Sequence, residues 1–220
     1  NKKMNVFGSY NFGARKGFND LDLYRKFYAS DTFQGAYKQF NGLTFPINTH
    51  QLRGGMDINL NKNTLVGFVT SGARTAFKPM GLNNTTVMNS HELPESKFST
   101  VNNSSDRWGN ASANFNFKHT IDSLGTEITA DIDYAEYRNT SEQHFNTQYF
   151  ALDGTLLRNP YILLGNIGGQ LQIKSAKVDY THPFKNGARM EAGAKASDVR
   201  ADNDLKFYEQ SNGVNIFDST

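Results

Sequence analysis

The sequence predicts an all-β fold: an antiparallel meander of long strands that forms part of a transmembrane β-barrel. Three observations predict it. Segments of about ten to fourteen residues alternate apolar and polar side chains, and tight turns alternate with long polar connections. The aromatic content is high, whereas the aliphatic content is low. The 220 residues include 17 Phe, 10 Tyr and 19 Gly, yet only 37% are hydrophobic. This composition suits a thin sheet with one apolar face better than a globular core.

Composition and charge argue against several other classes. The chain has no Cys, so it has neither disulfides nor thiolate metal sites. Its 23 Lys and Arg nearly balance 21 Asp and Glu, which argues against a nucleic-acid module with a basic face. The sequence contains no run of about 18 apolar residues, so it predicts no transmembrane helix. The best helical candidate, Asp20–Tyr28, has too few periodic apolar positions.

Four segments show the clearest strand pattern: Lys3–Arg15, His50–Leu60, Trp108–Ile121 and Thr126–Arg138. Thr126–Arg138 is the most regular of them. Its apolar positions are Ile128, Ala130, Ile132 and Tyr134, and its polar positions are Glu127, Thr129, Asp131 and Asp133. Side chains at alternate positions share one face of a strand, so each of these strands has two chemically different faces.

Three further strands are predicted with looser alternation: Thr64–Phe77, Gln170–His182 and Ala188–Tyr208. The apolar parity changes near Lys174, which predicts a β-bulge there. Pro183 is expected to end the strand before it, because proline cannot donate to a central ladder. The total is about seven strands, or eight if the first long connection contains a hairpin through Phe33–Phe40.

The connections between these strands differ in kind. Asn61–Asn63, Asp122–Gly125 and Phe184–Gly187 are predicted to be tight hairpin turns, because Asn, Asp and Gly accept the backbone angles that such turns need. The other connections are long. They run over residues 16–49, 78–106 and 139–169. Barrels of the bacterial outer membrane have short periplasmic turns and long external loops in this way. An ordinary soluble meander with variable loops is the alternative.

Aromatic residues near the predicted strand ends suggest interfacial girdles, although ordinary strand propensity also explains them. They are Phe77, Trp108, Tyr134, Tyr137, Tyr149, Phe150, Tyr180, Phe184, Phe207 and Tyr208. A second set lies in the first long connection and suggests either an external ligand site or packing within the loop. Its members are Tyr24, Phe27, Tyr28, Phe33, Tyr37 and Phe40.

The sequence predicts no catalytic, cofactor-binding or metal-binding residues, and the ligand-binding residues cannot be named from it. The five His are His50, His91, His119, His144 and His182, and none has a second His at metal-ligand spacing. Glu127, Asp131 and Asp133 share a face, but a water-filled lumen needs such residues without any acid–base chemistry. We therefore expect that the protein is not an enzyme and uses no cofactor.

The last third of the chain resembles a known family. The segments Asp179–Phe184, Lys185–Gly187, Glu191–Lys195 and Asp202–Tyr208 resemble the outer-membrane β-barrel family common in Bacteroidetes, whose members are similar to TonB-dependent receptors; Asn5–Asn11 resembles it too. The resemblance implies a barrel of about 22 strands with a plug, and an inner-membrane complex that supplies energy through the plug. We expect residues 1–220 to form one partial barrel domain, an excerpt of a longer chain.

The expected function is that of a segment of an outer-membrane receptor or transporter, for uptake or surface binding of an unidentified ligand. The expected partners are outer-membrane lipid, the remainder of the same barrel and its plug, and the energy-transducing complex. No nucleic-acid partner is expected. The alternative is a soluble or surface-exposed β-sheet binding module with no transport role.

Overall fold

A computed structural model describes residues 3–211 and 213–218. These residues form one sheet of nine strands in which every pairing is antiparallel. The strands are β1 (Met4–Ala29), β2 (Thr32–Asn59), β3 (Thr64–Phe77), β4 (Met80–Met88), β5 (Pro94–Thr120), β6 (Glu127–Phe150), β7 (Tyr161–Pro183), β8 (Arg189–Ser211) and β9 (Val214–Asp218). The predicted fold class is confirmed.

Strands β3 and β4 occupy one position in the sheet. Both pair with β2 on one side and with β5 on the other, and they are separated only by Lys78 and Pro79. Proline has no amide hydrogen, so the ladder is interrupted there. The backbone nevertheless stays connected to both neighbours: the Lys78 amide donates to the Pro46 carbonyl at 3.2 Å, and the Ser104 amide donates to the Pro79 carbonyl at 3.0 Å. The nine strand segments thus fill eight positions.

All seven predicted strands are present. Five of them are far longer than predicted, at 23 to 28 residues, whereas β8 lies within three residues of its predicted bounds at either end. The prediction of long loops over residues 16–49 and 78–106 was wrong. β1 and β2 continue as a hairpin to Ser30 and Asp31, both of which have positive φ. Asp20–Tyr28 is part of β1, and β4 and the start of β5 fill the second region. Only residues 151–160 remain of the third predicted loop, between β6 and β7.

The three predicted tight turns are confirmed, and they lie together at what we call the near end of the sheet. In the turn between β5 and β6, the Asp122 carboxylate accepts hydrogen bonds from the amides of Leu124 at 2.9 Å and Thr126 at 3.0 Å. Gly125 has a φ of 91° there. The turn between β7 and β8 closes with a hydrogen bond from the Phe184 amide to the Ala188 carbonyl. The opposite end, which holds Ser30, is the far end.

The register divides the sheet into two faces, which we call outer and inner. One row on the outer face is entirely apolar: Val6, Met56, Phe68, Phe115, Ile132, Ala176 and Ala196. The row beside it toward the near end is also apolar: Met4, Ile58, Val66, Phe117, Ala130, Val178 and Ala194. Between them the inner face carries Asn5, Asp57, Gly67, Asn116, Asp131, Lys177 and Lys195.

Large apolar side chains on the outer face are exposed, with Ile132 at 59% and Val6 at 63% of their full accessible area. Exposed apolar rows opposite polar rows are the arrangement of a barrel wall between lipid and an aqueous lumen. We call the outer-face rows through Ile58, Met56 and Gly54 of β2 the lipid band. The Gly54 row is its upper edge, which is uncharged from β1 to β6 but carries Lys174 on β7 and Asp198 on β8. Ala36 is the one hydrophobic residue buried within the described residues, so the sheet has no globular core.

The predicted bulge near Lys174 is wrong. β7 keeps an unbroken register with both β6 and β8 through this position. The backbone of β7 continues without a break. The apolar residues change from one face of the strand to the other because the surroundings of the two faces change along it. Beyond the lipid band, Leu171 and Ile173 lie on the inner face, whereas Ala176 and Val178 lie on the outer face within it.

Within the described residues, none forms a helix long and apolar enough to cross a membrane. The sheet path begins at β1 and ends at β9, and no pairing between the described parts of these two strands joins the edges. β1 therefore has a free edge of backbone donors and acceptors along its described length, as does most of β8. Such edges are satisfied by pairing with further strands.

Candidate ligand-binding face

At the level of the lipid band, the inner face of the sheet carries a network of hydrogen-bonded polar side chains. The Asp133 carboxylate accepts from the Asn114 amide at 2.7 Å and from the Ser175 hydroxyl at 3.0 Å, and the Asn116 amide donates to Asn114 at 3.2 Å. These residues come from β5, β6 and β7, so the network ties three strands together. A face of this kind is stable in contact with water and costly in contact with lipid.

The three carboxylates considered for acid–base chemistry do share the inner face, but they have separate partners. Glu127 forms an ion pair with Lys118 at 2.6 Å, whereas Asp133 belongs to the network above. Asp131 lies opposite Lys177 in the register. The arrangement is that of a polar wall with locally balanced charge.

Toward the far end the inner face opens into a shallow pocket of about 390 Å³ between β1 and β2. Its lining includes Asn11, Gly13, Arg15, Thr49 and Gln51. These alternate positions of two paired strands place amide, hydroxyl and guanidinium groups on one surface. The lining can therefore both donate to and accept from a polar ligand.

An aromatic cluster lies beside this pocket on the inner face. The rings of Phe77 and Trp108 stack with centroids 5.5 Å apart, and Phe45 lies 6.0 Å from Phe77. The Phe45 ring covers Gly17 on β1, so closely that a side chain at position 17 would collide with it. Trp108 is 46% exposed, which leaves part of its indole ring open to a ligand.

A second aromatic chain crosses the far end of the inner face. Phe27 and Tyr37 meet edge to face at 4.8 Å, Tyr37 meets Phe98 at 5.8 Å, and Phe98 lies 6.0 Å from Tyr149. The Arg158 guanidinium, from the connection between β6 and β7, lies over the Tyr149 ring at 3.6 Å. This distance is suited to a cation–π interaction.

Uncharged polar side chains connect the two aromatic groups. Thr85, only 2% exposed, accepts from the Gln39 amide at 3.0 Å and donates to Asn83 at 2.8 Å. Asn83 in turn donates to Asn41. On the far half of the sheet the inner face is thus a surface of aromatic rings, amides and hydroxyls.

The prediction of interfacial girdles was wrong for half of the ten aromatic residues assigned to them, because these residues lie on the inner face. Tyr134 and Tyr180 lie on the outer face, where a girdle requires them. By contrast, the register or the ring contacts place five of the ten on the inner face: Phe77, Trp108, Tyr137, Tyr149 and Phe207. Sequence reasoning missed Phe45 and Phe98, although their parity relative to Thr49 and Asn114 would have placed them on the inner face.

The loop aromatics are parts of strands and pack mostly against each other. Phe27 contacts Tyr37, and Tyr28 contacts Phe33 at 5.7 Å. Lys26 bridges this tip to Glu92 with an ion pair at 2.9 Å. A hydrogen bond from Lys26 to Glu92 raises the pKa of the Lys26 ammonium above its ordinary value.

Two histidines have equivalent structural positions at the near end. The Thr64 hydroxyl and the His119 ring nitrogen Nδ1 lie 2.9 Å apart, and those of Thr126 and His182 lie 2.8 Å apart. Each histidine therefore secures the start of a neighbouring strand, at the first residue of β3 and at the residue just before β6. Among the described residues no group of three or more His, Asp or Glu side chains is arranged to hold a metal ion.

Comparison with known proteins agrees with this architecture. Residues 119–220, just under half of the chain, match the model of the outer membrane protein beta-barrel family. No curated protein matches the chain. The matched segment contains β6, β7, β8 and β9, of which the first three carry part of the lipid band and part of the polar inner face. The predicted location is confirmed: the chain is an outer-membrane β-barrel protein of the bacterial cell, and its C-terminal part is similar to this family.

Proposed function

We propose that the chain forms part of the wall of a receptor-type barrel that binds a ligand from outside the cell and takes it up. The observation that carries the proposal is the change along the inner face, from a hydrogen-bonded polar wall within the lipid band to an aromatic and amide surface beyond it. Aromatic rings stack on ligands, and amides and hydroxyls fix their orientation. The proposed binding residues are Phe45, Phe77, Trp108, Thr49 and Gln51.

Transport in the manner of TonB-dependent receptors is part of the same proposal. The ligand would bind at the far half of the inner face, and energy from an inner-membrane complex would act through a plug inside the completed barrel. In this role the protein is not an enzyme and needs no cofactor, because the chain binds, orients and passes on the ligand without changing its bonds.

Ligand capture tests the binding half of this proposal. The full-length protein is purified from cells grown in rich medium, and small molecules released from it are identified by mass spectrometry. We expect a compound that is retained by the native protein and reduced by roughly tenfold or more in the Phe77→Ala, Trp108→Ala double variant, since stacking on two rings contributes a few kcal/mol. Phe18→Ala is the matched control, because Phe18 is an exposed aromatic residue on the outer face and does not line the pocket.

The uptake half is tested with the compound so identified. Accumulation inside cells is measured with and without a protonophore that abolishes the inner-membrane proton gradient. We expect binding at the cell surface to persist and accumulation to stop. Surface binding without accumulation in energised cells would instead support a binding module with no transport role.

A further inference from the structure

We propose that the outer face carries a binding site for a phosphate-bearing lipid headgroup, directly above the lipid band, formed by Arg74, Arg107 and Arg138. The site is on the opposite face from the ligand-binding surface described above. It depends on the outer-membrane location of the chain and is independent of the transport proposal.

The three arginines surround a gap made by Gly109. One register row contains Arg74, Gly109 and Arg138 on β3, β5 and β6, and Arg107 lies two residues farther along β5 on the same face. Because Gly109 has no side chain, the space between the two flanking guanidinium groups stays open. A Cβ atom at position 109 would meet nothing nearer than the Ala73 carbonyl at 3.8 Å. The resulting cavity has a volume of about 450 Å³.

The charge of this cavity is strongly unbalanced. Arg138 forms an ion pair with Glu136 at 2.5 Å, and Glu136 also lines the cavity. Within residues 3–211 and 213–218, the side chains of Arg74 and Arg107 form no ion pair or hydrogen bond with the protein. Arginine binds phosphate through paired hydrogen bonds and is more weakly hydrated than lysine, so two unpaired arginines around an open gap favour a phosphate group.

The position of the cavity indicates a lipid as the source of that phosphate. On β3 and β5 the first two outer-face residues below it, toward the near end, are Gly72 and Thr70, and Ala111 and Ala113. Phe68 and Phe115 of the lipid band follow. The cationic groups therefore lie where the apolar wall ends, at the level of a lipid headgroup.

An apolar groove extends from the cavity across β3, β2 and β1, along the outer-face row directly above the lipid band. A second cavity of about 430 Å³ shares Arg74 and Ala111 with the first and extends over Gly72 to Leu52 and Tyr10. The small side chains along this path leave room for an acyl chain, and Leu52 and Tyr10 line one side of it. A free phosphate ion would gain nothing from this groove, whereas a lipid would occupy both cavities.

Native mass spectrometry of the full-length protein in detergent tests the site. The probes are bisphosphorylated lipid A, the same lipid with its phosphates removed, and inorganic phosphate. We expect the phosphorylated lipid to bind at least about tenfold more tightly than the dephosphorylated lipid, because a charge-assisted hydrogen bond contributes about 1.5–3 kcal/mol. We expect the Arg74→Gln, Arg107→Gln, Arg138→Gln variant to lose this preference.

Two single variants make the test specific to the cavity. Gly109→Leu keeps all three charges and fills the gap, so we expect it to weaken binding of the phosphorylated lipid by about as much as loss of one arginine contact, roughly tenfold. Arg53→Gln removes an equal charge from the inner face and is expected to leave lipid binding unchanged. If the triple variant fails to refold, Gly109→Leu against Arg53→Gln decides the question.

Equal binding of the phosphorylated and dephosphorylated lipids would overturn the proposal. Full displacement of the lipid by inorganic phosphate would also overturn it, since that outcome assigns the arginines to soluble anions. A preference that persists in Gly109→Leu would place the phosphate elsewhere on the protein.

Discussion

The lipid band and the far half of the sheet are formed by the same strands in one continuous register, yet they distribute their side chains differently. In the band, the outer-face row through Ile132 is apolar in all seven strands that cross it. Beyond it, Val199 and Leu171 lie on the inner face of β8 and β7, while Arg200 and Gln172 lie on the outer face. The backbone is the same, so the surroundings of each face account for the difference.

This contrast shows what hydrophobic alternation reports in such a chain. In the band, lipid on one side and water on the other select the side chains of every strand, so the parity is uniform. Beyond the membrane both faces are in water, and an apolar position there reflects contact with other parts of the protein or with ligand. The upper limit of the apolar outer face also differs between strands, reaching Ala14 on β1 but only Ala196 on β8. Strands tilted against the membrane produce such a slope.

The largest expected effect tests this contrast directly, by placing a charge at one exposed apolar position in each region. Ile132 in the lipid band and Val199 on the far half are both 59% exposed. Ile132→Arg is expected to destabilise the protein by about 2–4 kcal/mol, because the arginine would face hydrocarbon. Val199→Arg faces water and is expected to change stability by less than about 0.5 kcal/mol.

Urea titration of the full-length protein in lipid vesicles, monitored by a heat-modifiable gel shift, measures both variants. Equal destabilisation by the two arginines would show that the assigned lipid band is wrong. A large effect at Val199 alone would show that Val199 faces lipid and Ile132 faces water.

The sequence predicted the band well and the far half poorly, for the same physical reason. Regular alternation around Ile132 identified both the strand and its outer face, because lipid imposes one rule on all strands. No such rule acts on residues 16–49, whose mixed pattern of Phe27, Tyr37 and Phe45 looked like a loop. Their strand structure depends on pairing between distant segments of chain, such as Tyr37 with Val87 of β4, which local periodicity does not report. The arginine site was missed because its three members are brought together only by the register.

The next effect compares turns at the two ends. Gly125 in the near-end turn has a φ of 91°, and Gly154 in the connection between β6 and β7 has a φ of 90°. Gly125→Ala is expected to destabilise the protein by about 1–2 kcal/mol, because this backbone angle disfavours a Cβ atom and two registered strands hold it. Gly154→Ala is expected to have a smaller effect, since the loop of residues 151–160 can adjust. The same urea titration measures the two variants, and a larger loss from Gly154→Ala would contradict this ranking.

Buried threonines provide a test in which the two regions are expected to agree. Thr126 at the near end and Thr85 on the far half are both 2% exposed and both hydrogen-bonded through their hydroxyl groups. Each Thr→Val variant is expected to lose about 1 kcal/mol of stability, because each removes the hydroxyl contribution to a side-chain network. A loss confined to Thr126 would mean that the far half contributes little to global unfolding, and that its strands open independently of the band.

The smallest expected effect is a pH dependence of the near-end turn. Hydrogen bonds from the side chain and then the amide of Thr126 hold the pKa of the Asp122 carboxyl below its ordinary value of 3.8. Because the folded-state pKa is lowered, this carboxylate stabilises the fold fully above the unfolded value and loses its contribution as the pH falls through the lowered one. Asp122→Asn should therefore flatten the acid limb of the stability curve, as the pH falls through the ordinary value of 3.8 and below it. Asp153, whose carboxyl pKa is also lowered by hydrogen bonds from Thr155, lies in the loop of residues 151–160 and is the matched control. If Asp153→Asn flattens the curve as much as Asp122→Asn does, local hydrogen bonding in any turn is enough, and the registered near end has no special part in acid stability.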